Sequence, residues 1–217
     1  MKIINICLLC LVSSLGHAEQ TSSAIQKFTP AQWEIISQAT GDLNTDGKID
    51  TAIIIQPKNL KIHNRKLIIL MQKNNTLQKV VEKSIPAWTY RNTENCMNDA
   101  LSDGGIEIKN GILDLSFHDM NTCSNWYGQA STYRFKWSNA QFKLTGFEYW
   151  FAYKTDGKAT RYSGNFLTQK LKTTLYNEFD DEIQPTVRWK KLQPISSATL
   201  EKIQFEQSDG FLKQMIK

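Results

Sequence analysis

The chain has 217 residues, of which 41% are hydrophobic and 22% are charged, and its formal charge is +5 at pH 7. This length is ordinary for one globular domain and is sufficient to bury a core without stapling by disulfides. Lysines and arginines are scattered singly or in pairs, as at Lys58, Lys61 and Arg65, with no dense basic block. The charge pattern therefore argues against a nucleic-acid-binding protein.

The first residues have the pattern of a secretory signal peptide. Lys2 is followed by an apolar run over residues 3–12, and Gly16-His17-Ala18 supplies small residues at positions −3 and −1 of a cleavage site. The apolar run is about half as long as the roughly 20 residues that a transmembrane helix requires. We therefore expect residues 1–18 to be removed after Ala18. The remaining residues 19–217 are expected to form a single periplasmic or secreted domain with no transmembrane segment.

The mature chain is predicted to begin with a flexible polar segment, residues 19–29. The next stretch, TPAQWEIISQAT, carries apolar residues at Trp33 and Ile35 behind Thr29 and Pro30. A short helix capped by Thr29 and a first β-strand both fit this stretch.

Residues 41–50, GDLNTDGKID, are named the acidic loop here and are the segment that most clearly indicates chemistry. Its alternate side chains are expected to converge in a tight loop, because Gly47 permits a sharp turn. Oxygen donors at this spacing suit calcium, a hard cation with six to eight oxygen ligands. The predicted ligands are the side chains of Asp42, Asn44, Asp46 and Asp50 and the carbonyl of Lys48. Ile49 is expected to point into the core, and a metal-free turn rich in Asp, Asn and Gly is the alternative.

The acidic loop is not an EF-hand, because Ile53 stands where the bidentate glutamate would be and no helical pattern brackets it. The stretch GDLNTDGKIDTAIII resembles the calcium loop and following strand of FG-GAP or VCBS-type repeats. That resemblance implies calcium as a structural ion, bound by the same five residues. The wider chain, over residues 64–70, 104–115, 133–149 and 163–168, is similar in layout to small exported bacterial proteins of unassigned function, which implies no activity.

Apolar runs after the acidic loop predict antiparallel strands joined by tight turns. The runs DTAIIIQP, RKLIILMQK and TLQKVVEKS are separated by Pro57 and by Asn74-Asn75, and Asn110-Gly111 marks a further hairpin. Later turns are expected at Ser138-Asn139, at Asp156-Gly157 and near residues 165–169. The tail, residues 196–217, has apolar residues at roughly helical spacing. The sequence thus predicts a mostly β (β-rich α+β) fold: an antiparallel meander of hairpins in a sandwich or curved sheet, with one or two short helices.

The mature chain has two cysteines, Cys96 and Cys123, and an even pair in an oxidising compartment is expected to form a disulfide. A redox pair or a metal site at Cys96 and Cys123 would instead require CxxC spacing or nearby histidines, which the mature chain lacks.

The sequence shows no catalytic motif. His63 and His118 are the histidines of the mature chain, and no GxSxG elbow accompanies His118-Asp119. Several carboxylates, among them Glu107, Asp114 and Glu148, could form a catalytic pair, and the sequence does not indicate which two would do so. The aromatic stretches NWYG and FEYWFAY are expected mainly to pack in the core, with a sugar-stacking surface as the alternative.

These features predict an exported, non-enzymatic binding protein with one structural calcium site and a protein or glycan partner. A periplasmic immunity or inhibitor protein is the first alternative. The second is a hydrolase of cell-wall or other polysaccharide, which requires two carboxylates facing each other across a groove.

Overall fold

The computed structural model describes residues 23–87, 89–90, 97–102, 104–119, 126–192, 198–205 and 208–216. In this part the chain is mostly β, with two large antiparallel sheets and two short helices, which confirms the predicted fold class. The expected signal peptide and the expected disulfide between Cys96 and Cys123 lie outside the described residues. Neither helix is long and apolar enough to cross a membrane.

The smaller sheet contains four strands, which are β1 (Trp33–Gly41), β2 (Asp50–Pro57), β3 (Arg65–Lys73) and β4 (Thr76–Ile85). A short ribbon follows, formed by β5 (Thr89–Tyr90) and β6 (Met97–Asn98). The larger sheet contains β7 (Gly105–Lys109), β8 (Ile112–Asp119), β9 (Tyr127–Ser138), β10 (Gln141–Tyr153), β11 (Lys158–Asn165), β12 (Lys170–Asn177) and β13 (Thr186–Lys191). Helix α1 spans residues 23–26, and α2 is Ser208–Ile216. Consecutive strands are neighbours in both large sheets, so each sheet is a meander.

Tight turns that require left-handed backbone join the strands where the sequence predicts them. Asn74 and Asn75 have φ of 49° and 59°, and Asn110 and Gly111 have φ of 53° and 73°. Between β9 and β10 the left-handed residues are Asn139 and Ala140, one position later than predicted.

The four-stranded sheet is covered on both faces, which explains its unbroken apolar runs. Ile54 and Leu67 face the main core, whereas Ile53 and Ile68 pack against a second cluster that includes Ile25 of α1. Ile25 is 1% exposed, so the predicted flexible start is wrong from residue 23 onward. The stretch at residues 33–41 is a strand, which resolves the two alternatives left by the sequence.

The seven-stranded sheet has one face in the core and one face turned outward. Tyr133, Phe135 and Phe147 on the inner face are fully buried, and α2 adds Leu212 and Met215 to the same core. Among the described residues of the tail, the helix α2 is Ser208–Ile216, and Leu200 and Ile203 before it are also buried.

The two large sheets approach each other along β1 and β7. A Cβ on Gly41 would lie 2.5 Å from Cγ2 of Ile108, so only glycine permits this close contact. The acidic loop therefore begins at a point where the two layers meet.

Candidate functional site

The acidic loop joins β1 to β2 and folds around the side chains of its own first half. Both carboxylate oxygens of Asp42 accept backbone N–H groups, from Asp46 at 3.1 Å and Gly47 at 2.8 Å. Asn44 Oδ1 accepts the Asp46 N–H at 3.0 Å, and Asp46 Oδ1 accepts the Lys48 N–H at 2.9 Å. The structure thus brings Asp42, Asn44 and Asp46 together at one turn.

Asp50, the last predicted ligand, lies in the core beneath this turn. Its side chain is fully buried, with Oδ2 accepting the Leu43 N–H and Oδ1 accepting the Gln72 N–H, both at 2.9 Å. Burial raises the pKa of the Asp50 carboxyl although the two hydrogen bonds oppose this, and the charges of Asp46 and Asp42 raise it further. Asp50 therefore fastens the loop to the end of β3.

The expectation for Ile49 is wrong, because its side chain is 61% exposed. The loop fills the core with Leu43, which is 1% exposed. Ile49 precedes β2, which begins at Asp50, and it is Asp50 that turns into the core there.

The loop has oxygen atoms of the kind that bind hard cations, and these oxygens accept hydrogen bonds from the loop's own backbone N–H groups. In the part of the chain that the structure describes, no three His, Cys, Asp or Glu side chains stand close enough together to hold a metal ion. A carboxylate oxygen that accepts one N–H retains a further lone pair, so these bonds leave coordinating capacity at Asp42 and Asp46. The donor set fits calcium in chemistry, and the site remains a prediction.

A second candidate site is a pocket of about 400 Å³ on the outward face of the seven-stranded sheet. We call it the outer-face pocket, and its walls come from β8, β9, β10 and β11 and from the residue after β12. The lining residues are His118, Ala130, Thr132, Glu148, Trp150, Arg161 and Glu178. The register explains the grouping: His118 is paired with Ala130, which is paired with Trp150, which is paired with Arg161.

Hydrogen bonds hold the aromatic wall of this pocket. Glu178 Oε1 accepts Trp150 Nε1–H at 3.0 Å and the Tyr176 hydroxyl at 2.8 Å. Burial, followed by the hydrogen bond to Glu178, raises the pKa of Tyr176, so its hydroxyl stays a donor at neutral pH. The Arg161 guanidinium lies 5.9 Å from the centre of the Tyr176 ring.

Glu148 lies two residues before Trp150 on the same face of β10, and Ser163 Oγ donates to its Oε1 at 3.3 Å. The pocket therefore combines an aromatic ring, a guanidinium and two glutamates. His118 and Glu148 were candidate residues in the sequence, but no pattern grouped them, and Arg161 and Glu178 were not among the candidates. The available signal was the alternation of polar residues along β8 to β11, which marks one face of the sheet once the strand register is known. His63, in contrast, lies in the connection between β2 and β3.

No protein-family model, curated protein or solved structure matches the chain. The likeness of the acidic loop to FG-GAP or VCBS-type repeats therefore has no further support from whole-chain similarity.

Proposed function

We propose that the chain is an exported, non-enzymatic binding protein that holds a saccharide in the outer-face pocket. The proposal rests on one observation: the strand register brings Trp150, Arg161 and Glu148 together in one pocket, on the face of the sheet opposite the core. Core packing does not require a half-buried tryptophan and a partly buried carboxylate on the outward face.

A saccharide suits this pocket because a sugar ring has an apolar face of C–H groups and a rim of hydroxyls. The ring of Trp150 offers a flat apolar surface, and its N–H is already occupied by Glu178. Arg161 supplies donors and Glu148 supplies acceptors for hydroxyl groups. An open pocket with a few polar groups around an aromatic surface is a common form of ligand site.

Substitution of Trp150 by alanine is expected to weaken saccharide binding about 30-fold, or roughly 2 kcal/mol, as for an aromatic residue at the centre of a binding site. The measurement is isothermal titration calorimetry of the mature protein with neutral, N-acetylated and uronate hexasaccharides. Trp126→Ala is the matched control, because Trp126 is 73% exposed and does not line the pocket. The proposal fails if no saccharide binds, or if Trp150→Ala and Trp126→Ala bind equally well.

A polysaccharide hydrolase is the second candidate, because Glu148 and Glu178 line the same pocket and glycoside hydrolysis uses two carboxylates. The two functions differ in turnover. A hydrolase releases new reducing ends from the bound saccharide, and Glu148→Gln or Glu178→Gln stops this release while binding persists. A binding protein releases none, whichever glutamate is present.

We also propose that the acidic loop binds calcium as a structural ion. Support comes from the spacing of three carboxylates in one loop, Asp42, Asp46 and Asp50. Burial is the main cause that raises the pKa of Asp50, and the charges of Asp46 and Asp42 raise it further, so the three carboxylates repel one another. A divalent cation would reduce that repulsion, and its side-chain ligands would be Asp42, Asn44, Asp46 and Asp50, with the carbonyl of Lys48.

Calcium at 10 times its dissociation constant is expected to stabilise the fold by about 1.4 kcal/mol, which corresponds to an increase in Tm of about 3–6 °C. The measurement is thermal unfolding in EDTA and then in millimolar calcium, with magnesium as the comparison ion. Asp46→Ala should abolish the shift, whereas Asp156→Ala, in an exposed turn, should retain it. A Tm that calcium leaves unchanged would mean that the acidic loop is only a turn.

A further inference from the structure

Strand β13 is an open edge of the seven-stranded sheet. It pairs with β12 over six consecutive residues without a register shift, and no strand among the described residues pairs with its other side. All six of its residues are exposed. A regular, exposed edge strand is a template for pairing with another strand.

The direction of the unpaired backbone groups follows from one hydrogen bond. The Leu192 N–H donates to Gln169 O at 2.9 Å, so Leu192 faces β12. Because alternate residues of a strand face opposite sides, Val187, Trp189 and Lys191 direct their N–H and C=O groups away from β12. These three residues present an unused row of donors and acceptors.

The same edge is apolar as well as unpaired. Trp189 is 65% exposed and Val187 is 45% exposed, and both side chains lie on the same face of the strand. Phe179 and Ile183, in the connection before β13, are also exposed. Half of the exposed large apolar side chains in the described part fall between residues 167 and 189.

The charges along this edge are opposite at its two ends. Lys190 and Lys191 end β13, and Lys170 lies opposite Lys191 on β12. The connection that precedes β13 carries Asp180, Asp181 and Glu182, which are all exposed. If a second copy of this strand lay antiparallel beside it, the acidic connection of each copy would lie beside the lysines of the other copy. The pair would then have one acid–base contact at each of its two ends.

We propose that two copies of this chain pair antiparallel along β13, joining their seven-stranded sheets into one. A two-fold axis at Val187 makes the contact self-complementary, because it sets Lys191 of each copy opposite residue 183 of the other, beside Glu182. The same register leaves Arg188 opposite Thr186, so the basic residues of the two strands do not face each other.

In the described part of the other sheet both edge strands, β1 and β4, are irregular. The β1–β2 ladder shifts register between Ile35 and Ser37, and the β3–β4 ladder shifts between Ile69 and Leu70, which disturbs regular pairing along these edges.

The test is sedimentation velocity of the mature protein over a range of concentrations. The wild-type chain should dimerise reversibly. Lys170→Glu/Lys191→Glu should raise the dimer dissociation constant at least tenfold, because both end contacts become repulsive, and Asp181→Lys/Glu182→Lys should do the same. An equimolar mixture of these two variants should form a heterodimer, since both end contacts are then attractive again. Lys58→Glu/Lys61→Glu, an equal charge change in the connection between β2 and β3, should leave the dimer intact.

Val187→Pro tests the backbone contact, because it removes an N–H that faces away from β12 and no bond within the sheet. The variant should be monomeric with an unchanged circular dichroism spectrum. If it fails to fold, the charge-reversal mixture still decides the question. A monomeric wild-type protein at near-millimolar concentration overturns the proposal. A dimer whose dissociation constant is unchanged by the charge reversals also overturns it. A monomer that instead binds a poly-glutamate peptide at Lys170 and Lys191 would assign the edge to an acidic partner and also overturn it.

Discussion

Substitution of Arg65 by alanine is expected to lower the free energy of unfolding by about 3–5 kcal/mol, the usual cost of removing one partner of a buried ion pair. Arg65 is 3% exposed, and its guanidinium donates to Asp99 at 2.5 and 2.7 Å. It also donates twice to Gln56 Oε1, at 3.1 and 3.0 Å. Loss of the guanidinium leaves the Asp99 carboxylate, 19% exposed, without its counter-charge.

Lys66 is the matched control for Arg65, since it is the next residue of β3 and also forms an ion pair. Its partner Glu82 is 35% exposed, and the side chain of Lys66 is 32% exposed. Exposed pairs contribute about 0–1 kcal/mol, so Lys66→Ala should have a small effect in urea unfolding. Similar losses for the two variants would contradict a stabilising role for the buried pair.

Unfolding at low pH distinguishes the contribution of the Arg65–Asp99 charges to stability from the contribution of side-chain packing. Burial opposes ionisation of Asp99, but hydrogen bonds from Arg65 and from the Leu101 N–H outweigh it, so the pKa of Asp99 is lowered. A lowered pKa in the folded state means that this stability is present above the unfolded value of about 3.9 and is lost as pH falls below it. In Arg65→Ala burial is less opposed, so the difference from the wild-type protein should shrink between pH 5 and pH 3.

The Arg65–Asp99 ion pair could not be predicted from the sequence. In the sequence Arg65 is one of several scattered basic residues, and Asp99 lies in a stretch without periodicity. Their contact spans 34 positions and depends on how the segment after β6 folds back on β3. Charge patterning describes local spacing, and it therefore assigns both residues to the surface.

The fold class was predictable because its signals are local. Asparagine and glycine at Asn110 and Gly111 have a backbone preference that the turn requires, and the residues on either side alternate with period two. The apolar runs also predicted β2 and β3 correctly, but the sequence did not show why both faces of these strands are apolar. Both faces of that sheet are covered because α1 packs on one of them, and the polar sequence before Trp33 conceals this apart from Ile25 and Phe28.

The two candidate sites differ in the same way. All predicted ligands of the acidic loop fall within nine positions, so spacing alone groups them. The outer-face pocket collects residues from four strands, β8 to β11, and its composition depends on the register of each pair. Sequence patterns specify which face of one strand is polar, whereas a bulge at Leu144 and Gly146 changes which residues of β9 and β10 stand opposite each other. Glu178 joins the pocket from beyond β12, where no periodicity applies.

Within the acidic loop, the largest effect is expected at Asp50 rather than at the exposed residues. Asp50→Ala removes the acceptor of two N–H groups, those of Leu43 and Gln72, and neither group regains an acceptor from the small apolar side chain. Each unsatisfied buried donor costs about 1–3 kcal/mol, so the free energy of unfolding should fall by about 2–6 kcal/mol.

This loss should appear in EDTA as well as in calcium, because it arises from hydrogen bonds within the protein. Asp50→Asn retains one carbonyl oxygen and should lose about half as much, since only one N–H is then without an acceptor. Asp46→Ala, whose carboxylate accepts only exposed donors, should unfold in EDTA within about 0.5 kcal/mol of the wild-type protein. Urea unfolding of the three variants in EDTA measures these differences. If Asp50→Ala is no less stable than Asp46→Ala, the buried carboxylate does not fasten the loop to β3, and its place in the core contributes little to the fold.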